Sequence, residues 1–97
     1  NLNRNIDYTI KIEIKKLSDM ELTALNVYSW PIWSCEVSEF PWTYSDKEFC
    51  YILEGKVIVT IDHEEVTIEP GDFIVFPKGL SCRWRVLKPI RKHYSFE

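Results

Sequence analysis

The side chains with the clearest capacity for chemistry are one carboxylate, Glu48, and two thiols, Cys50 and Cys82. Glu48 opens an apolar stretch, residues 49–53, that ends at a turn containing Gly55. A carboxylate at the start of a buried strand serves as a general base or as a hydrogen-bond anchor for a ligand. The alternative is a structural carboxylate whose hydrogen bonds come from backbone amides, water or a tyrosine hydroxyl.

The two thiols also have two interpretations. Beside a base, Cys50 and Cys82 would act as a nucleophile or as a redox pair. Free cysteines usually pack as small hydrophobic side chains, and no histidine is expected near either of them. The total of three cysteines is odd and makes a poor disulfide framework. We therefore expect a soluble intracellular protein, in the cytoplasm or in an organelle.

Short strands must position these side chains, because turn residues interrupt the chain at near-regular intervals. Residues 8–14 alternate polar and β-branched side chains, which is typical of a half-buried strand. Ser18 followed by Glu21 has the spacing of a capping box, which predicts a short helix near residues 18–25. The remaining strands are expected at residues 35–40, 49–53, 56–61, 65–69, 73–76, 81–87 and 92–96. The pattern predicts an all-β jelly roll or sandwich with at most this one short helix.

Length and charge limit the functional classes. A chain of 97 residues with 45% hydrophobic side chains predicts a single domain over residues 1–97. The formal net charge of -3 argues against a nucleic-acid partner. No apolar run approaches the roughly 20 residues that cross a bilayer, so no membrane partner is expected.

Two stretches match a known spacing. Glu48 is followed after six residues by Gly55, and Gly71 is followed after five residues by Pro77 and then by Gly79. These stretches resemble the two cupin motifs, which implies an RmlC-like jelly-roll β-barrel over residues 30–97. Residues 30–33, 50–55, 76–79 and 84–94 further resemble small single-domain cupins related to ureidoglycine aminohydrolase and to the ethanolamine-utilisation cupins.

The resemblance also locates the metal-ligand positions of the family. Its histidine positions are occupied by Trp42, Tyr44 and Cys82, and among the ligand positions only Glu48 keeps its residue type. A four-residue spacing before Glu48 supplies no imidazole either. A divalent ion needs three or four good donors, and a Tyr44 phenolate is costly at neutral pH because the ordinary pKa of a phenol is about 10. We expect no metal and no other cofactor.

Strand alternation predicts the contents of the barrel. If Glu48 points inward, so does Cys50, and Trp84 follows Cys82 in the same way. The predicted ligand-binding residues, which combine this alternation with the motif positions, are Trp42, Tyr44, Glu48, Cys50, Cys82 and Trp84. The catalytic candidates, if the protein is an enzyme, are Glu48, Tyr44 and Cys82.

Three functions remain open. The favoured hypothesis is a protein that binds a small molecule in an aromatic pocket anchored by Glu48, without a family-type metal site. The second is a metal-independent isomerase, epimerase or hydrolase that uses Glu48 and Tyr44. The third is a structural or interaction module with a filled barrel. The N-terminal strand within residues 1–16 is expected to pair at a sheet edge or at the interface of a homodimer.

Overall fold

The computed structural model describes residues 12–97. Seven strands and one α-helix follow one another within this range, with a turn of 3₁₀-helix at Val27–Ser29. The strands are β1 (Glu13–Lys16), β2 (Ile32–Cys35), β3 (Ser38–Thr43), β4 (Glu48–Ile61), β5 (Glu64–Ile68), β6 (Asp72–Phe76) and β7 (Ser81–Phe96), and the helix is α1 (Asp19–Ala24). All strand pairs are antiparallel. The prediction of an all-β fold with one short helix is confirmed.

The helix begins where the sequence predicts it. The Ser18 amide donates to Oε1 of Glu21 at 2.9 Å, and the Glu21 amide donates to Oγ of Ser18 at 3.1 Å. This reciprocal capping box satisfies two amides that the first turn leaves without partners. Leu22 on the inner face is buried against Phe73 and Val75 of β6, in a small cluster that fixes α1 to the sheet.

The N-terminal strand pairs at one end of the sheet. Glu13 lies opposite Val75 and Lys16 lies opposite Asp72, and Nζ of Lys16 is 2.6 Å from Oδ1 of Asp72. Residues 8–11 of the predicted strand lie outside the described residues. The homodimer interface expected there stays a prediction.

The two longest strands, β4 and β7, organise the fold. They pair from Glu48 opposite Phe96 to Thr60 opposite Arg83. The predicted interruptions of these strands at Gly55 and at Pro89 are wrong, because both strands continue through a local shift of register. Gly55 has a φ of 102°, and a Cβ there would lie 2.7 Å from Cα of Ile90. Glycine therefore lets the two strands bend together without separating.

The bend allows each long strand to pair with different neighbours along its length. The first half of β4 pairs with β6 and its second half pairs with β5, while the two halves of β7 pair with β3 and β2. Side chains from both halves form the main core, including Ile52, Val57, Ile74, Val86 and Ile90. Among residues 12–97, no helix is long and apolar enough to cross a membrane.

The proline-containing segment forms an edge, as expected. The predicted strand over residues 35–40 is instead divided, because β2 ends at Cys35 and β3 begins at Ser38. Oγ of Ser38 donates to the Glu36 carbonyl at 2.8 Å and stabilises the turn between them. In the part of the chain that the structure describes, β3 pairs with β7 alone. The missing amide of Pro41 is tolerated in an edge strand.

Candidate functional site

An aromatic pocket is lined by side chains from β2, β3, β4 and β7 and by Tyr44, which follows β3. Its volume is about 290 Å³. Among the described residues, seven aromatic and two charged side chains line it: Trp33, Phe40, Trp42, Tyr44, Glu48, Trp84, Lys92, Tyr94 and Phe96. Aromatic rings surrounding a small number of polar groups are typical of small-molecule sites.

The charged residues of the pocket come from the two long strands. Glu48 is the first residue of β4, and Lys92 lies in β7 opposite Ile52. The alternation of β7 places Ile90 and Lys92 on the inward face, so the lysine enters the interior beside a core residue. Glu48 and Lys92 retain 4% and 5% of their exposure, which is rare for charged residues unless they are paired.

A buried hydrogen-bonded cluster joins Glu48, Cys50 and Lys92. Nζ of Lys92 donates to Oε2 of Glu48 at 2.7 Å and to Sγ of Cys50 at 3.3 Å. Sγ of Cys50 donates to the same carboxylate oxygen at 2.8 Å. The ammonium also lies 5.1 Å and 4.9 Å from the ring centroids of Trp33 and Trp84. These distances allow attraction between the cation and both ring faces.

The protonation states follow from burial and charge. Burial lowers the pKa of Lys92, but its interactions with Cys50 and Glu48 outweigh this effect and raise the pKa overall. Burial is also the main reason that the pKa of Cys50 is raised. At neutral pH the cluster therefore holds an ammonium group and a thiol. The Cys50 thiol is not activated as a nucleophile.

Tyr44 is held by the turn that carries the second motif. Its amide donates to the Leu80 carbonyl at 2.9 Å, and the Gly79 amide donates to the Tyr44 carbonyl at 2.7 Å. Its ring stacks on Phe76 with centroids 4.5 Å apart, and its hydroxyl accepts from Nε1 of Trp84 at 3.2 Å. Burial, with smaller contributions from nearby groups, raises the pKa of Tyr44. Tyr44 therefore forms a fixed, uncharged part of the pocket wall.

The residues of the pocket do not fit a metal ion. Within residues 12–97, no three His, Cys, Asp or Glu side chains converge on a common point. The one family-type ligand, Glu48, is bound by the Lys92 ammonium, which would repel a divalent cation beside it. His63 lies in the turn between β4 and β5, and His93 has its Nδ1 2.8 Å from the carbonyl of Trp30, outside the pocket.

Comparison with known families identifies the fold. The family model described as the EutQ-like cupin domain matches residues 22–94. The chain belongs to the EutQ-like cupin family. No curated protein matches this cupin.

Solved structures agree with that assignment. This cupin is similar to a DUF861 family protein from Thermotoga maritima, with 52% identity, a TM-score of 0.87, and coverage of 90% of this chain and all of the other. The EutQ protein of Clostridium difficile shares 23% identity with a TM-score of 0.61, over 86% of this chain and 64% of that chain. The ethanolamine utilization protein Q of Salmonella typhimurium shares 22% identity with a TM-score of 0.60, over 86% and 66%. The last two similarities show the fold alone.

The cupin pocket brings together four of the six predicted ligand-binding residues. Trp42, Tyr44, Glu48 and Trp84 line it, with Trp42 at its rim and 49% exposed. Cys50 is fully buried behind Glu48 and does not reach the pocket surface. Cys82, opposite Trp42 in the β3–β7 pair, is half-buried and does not line the pocket either. Whether these residues bind a ligand or act in catalysis stays a prediction.

Sequence reasoning missed Lys92, which is the cation of the pocket. A signal was present, because Lys92 alternates with Ile90 and Tyr94 in a strand whose inward positions are otherwise apolar or aromatic. Adjacent basic residues at 91 and 92 instead favour the interpretation of a charged surface. The same reasoning missed Trp33, which faces the ammonium from β2.

Proposed function

We propose that this cupin binds a small molecule in its aromatic pocket, with Glu48 as the polar anchor, and that no family-type metal ion takes part. The observation that supports this proposal is the buried Glu48–Lys92 pair in the wall of an open pocket of about 290 Å³. This volume lies just below the range of about 300–1,000 Å³ that small-molecule pockets usually occupy.

The charges beside the pocket argue for binding over a purely structural barrel. Burying two charges costs several kcal/mol of desolvation each, and apolar replacements of similar volume are often at least as stable. A barrel selected only for stability has no use for the ion pair, and it fills its interior with side chains. Glu48 and Lys92 border open volume instead.

Catalysis by Glu48 and Tyr44, as in a metal-independent isomerase, epimerase or hydrolase, is the second candidate. Both side chains line the pocket, which favours it. Against it, the raised pKa of Tyr44 makes the phenol a weak general acid. Its hydroxyl is also engaged by Trp84. Binding of a ligand does not require proton transfer by Glu48 or by Tyr44.

A thermal-shift screen over sugars, nucleosides, amides and carboxylates, followed by calorimetry, tests the proposal. A compound that binds the native state raises the melting temperature by mass action. Trp42→Ala removes a half-exposed wall of the pocket and is expected to abolish the shift, whereas Tyr28→Ala removes a similarly exposed aromatic residue outside the pocket and is expected to preserve it. If no compound stabilises the wild-type protein, the filled-barrel hypothesis is favoured. If the wild-type protein converts one of the compounds and Tyr44→Phe does not, the enzyme hypothesis is favoured.

A further inference from the structure

One oxygen of the buried carboxylate lacks a partner within the described residues. Oε2 of Glu48 accepts hydrogen bonds from Lys92 and Cys50, but no group in residues 12–97 donates to Oε1. The side chain is 6% exposed and lines the pocket. A buried carboxylate oxygen without a donor costs free energy, so the site favours a ligand that carries an N–H or O–H group.

The facing ammonium also has an unused donor. A protonated lysine has three N–H groups. Nζ of Lys92 directs two hydrogen bonds, to Oε2 of Glu48 and to Sγ of Cys50. No further oxygen, nitrogen or sulfur atom of residues 12–97 accepts the third, and the nearby groups are the rings of Trp33 and Trp84. Among residues 12–97, one acceptor of Glu48 and one donor of Lys92 therefore have no hydrogen-bond partner, and both residues line the pocket.

The charge of the pocket restricts its ligand further. Glu48 and Lys92 are the only charged side chains among the described residues that line it, and they neutralise each other. An anionic ligand would bring its charge close to the Glu48 carboxylate, and a cationic ligand would bring its charge close to the Lys92 ammonium. Either ion would be desolvated by the surrounding aromatic rings without a counter-ion of its own.

The shape of the walls favours a flat ligand. Phe40 and Trp84, which both line the pocket, are nearly parallel, with an interplanar angle of 16°. The ring of Trp42, which also lines the pocket, stands at 82° to both Phe40 and Tyr44. Planar rings gain stacking and edge contacts against such walls.

We infer that the pocket recognises an uncharged planar ring in which an N–H group stands next to a carbonyl, as in a lactam or cyclic imide. The ring N–H donates to Oε1 of Glu48, and the carbonyl accepts from Nζ of Lys92. This inference rests on the proposed binding function and names the class of ligand.

A matched set of probes tests the inference by calorimetry and thermal shift with the wild-type protein. The probes are uracil, 2-pyridone and succinimide, each with its fully N-methylated counterpart, and benzoate as an anion of similar size. We expect at least one N–H compound to bind. The affinity for its N-methylated form should be lower by a factor of roughly ten or more, because the methyl group leaves the buried Oε1 without a donor. Benzoate should not bind.

A variant pair adds an independent readout. Lys92→Met removes the donor and is expected to lower the affinity for the N–H compound by at least tenfold. Arg91→Met, on the exposed side of the same strand, should leave that affinity unchanged. Lys92→Met also lowers stability. If that variant does not fold, the comparison of each N–H compound with its N-methylated form tests the inference by itself.

The outcomes separate the inference from the proposed function. The inference fails if the N-methylated compounds bind as well as their parents, or if none of the N–H compounds binds. The proposed function survives that failure when other classes in the wider screen, such as sugars or carboxylates, stabilise the protein through Trp42. Both fail if the wider screen also finds no ligand.

Discussion

Nζ of Lys92 lies 2.7 Å from Oε2 of Glu48, and the two side chains are 7% and 6% exposed. The adjacent residue, Arg91, forms an ion pair of the same length with Glu54, but those side chains are 44% and 61% exposed. Solvent screens the outer pair, whereas the inner pair lies among aromatic rings. The two pairs therefore differ in energy although their distances agree.

Removing the ammonium is expected to destabilise the protein strongly. Lys92→Met leaves the Glu48 carboxylate charged and unpaired in the interior, which costs about 3–5 kcal/mol of unfolding free energy. Arg91→Met breaks the exposed pair and should cost less than about 1 kcal/mol. Urea denaturation at pH 7 measures both.

A double variant separates the charge from the packing. Glu48→Gln combined with Lys92→Met removes both charges and is expected to be more stable than Lys92→Met alone. The losses of unfolding free energy in Glu48→Gln and in Lys92→Met are added for comparison. If the double variant loses as much as this sum, changed packing accounts for the loss and the unpaired charge does not.

Alkaline pH is expected to destabilise the protein through two thiols whose pKa values are raised in the folded state. Burial raises the pKa of Cys82 from its ordinary value of 9.0 to about 11, and burial raises the pKa of Cys50 in the same direction. The unfolded chain then loses both protons first, so the associated stability is complete below pH 9.0. The part that comes from Cys82 is lost as pH rises through about 11, and the part that comes from Cys50 continues to fall above that pH. Denaturation across this range should show a smaller decline for Cys50→Ala than for the wild-type protein.

A variant without a titration effect serves as the control for this slope. Ser18→Ala removes the helix cap and lowers the unfolding free energy by about 1 kcal/mol, but it should leave the decline with pH unchanged. An identical slope in wild-type and Cys50→Ala proteins would contradict the assignment.

The bend at Gly55 is expected to be intolerant of a side chain. Gly55→Ala places a Cβ 2.7 Å from Cα of Ile90 at a φ of 102°, so backbone strain and crowding together cost about 2–5 kcal/mol. Gly79→Ala has a similar φ of 89° but no atom within 4 Å of the new Cβ, and should cost only about 1–3 kcal/mol. Equal losses in thermal unfolding would show that crowding against β7 is unimportant.

Chelation is expected to leave the protein unchanged. The only family-type ligand, Glu48, is paired with Lys92, so the melting temperature should be the same with and without EDTA. Elemental analysis of protein purified without chelators should find no stoichiometric Mn, Fe, Ni or Zn. A stoichiometric metal that disappears in Glu48→Gln would overturn the metal-free proposal.

The homodimer proposal concerns the N-terminal end of the chain. In the strand order of the described residues, β1 is terminal in the sheet, and a terminal strand presents backbone groups to a second copy. Light scattering over a range of concentrations should give twice the chain mass of 11.6 kDa. A mass of one chain at every concentration would rule out the dimer.

Local rules accounted for much of the fold. The Ser18–Glu21 spacing predicted the helix start, because a capping box involves only residues within one turn. Alternation correctly predicted that Cys50 shares a face with Glu48, and both are buried, because side chains two positions apart in a strand point to the same face. The continuity of β4 and β7 was missed because each bend depends on the other strand, and Gly55 and Pro89 normally end strands when read alone.

The sequence by itself determined the all-β cupin architecture, the common face of Glu48 and Cys50, and the absence of imidazoles at the motif positions of the metal site. Only the tertiary structure decided that Lys92 is the partner of Glu48, although 44 positions separate them. That pairing arises from the register of β4 against β7, which no local pattern encodes. A lysine beside an arginine is ordinary on a surface, and it becomes a buried cation only where an ion pair and two indole rings offset its desolvation.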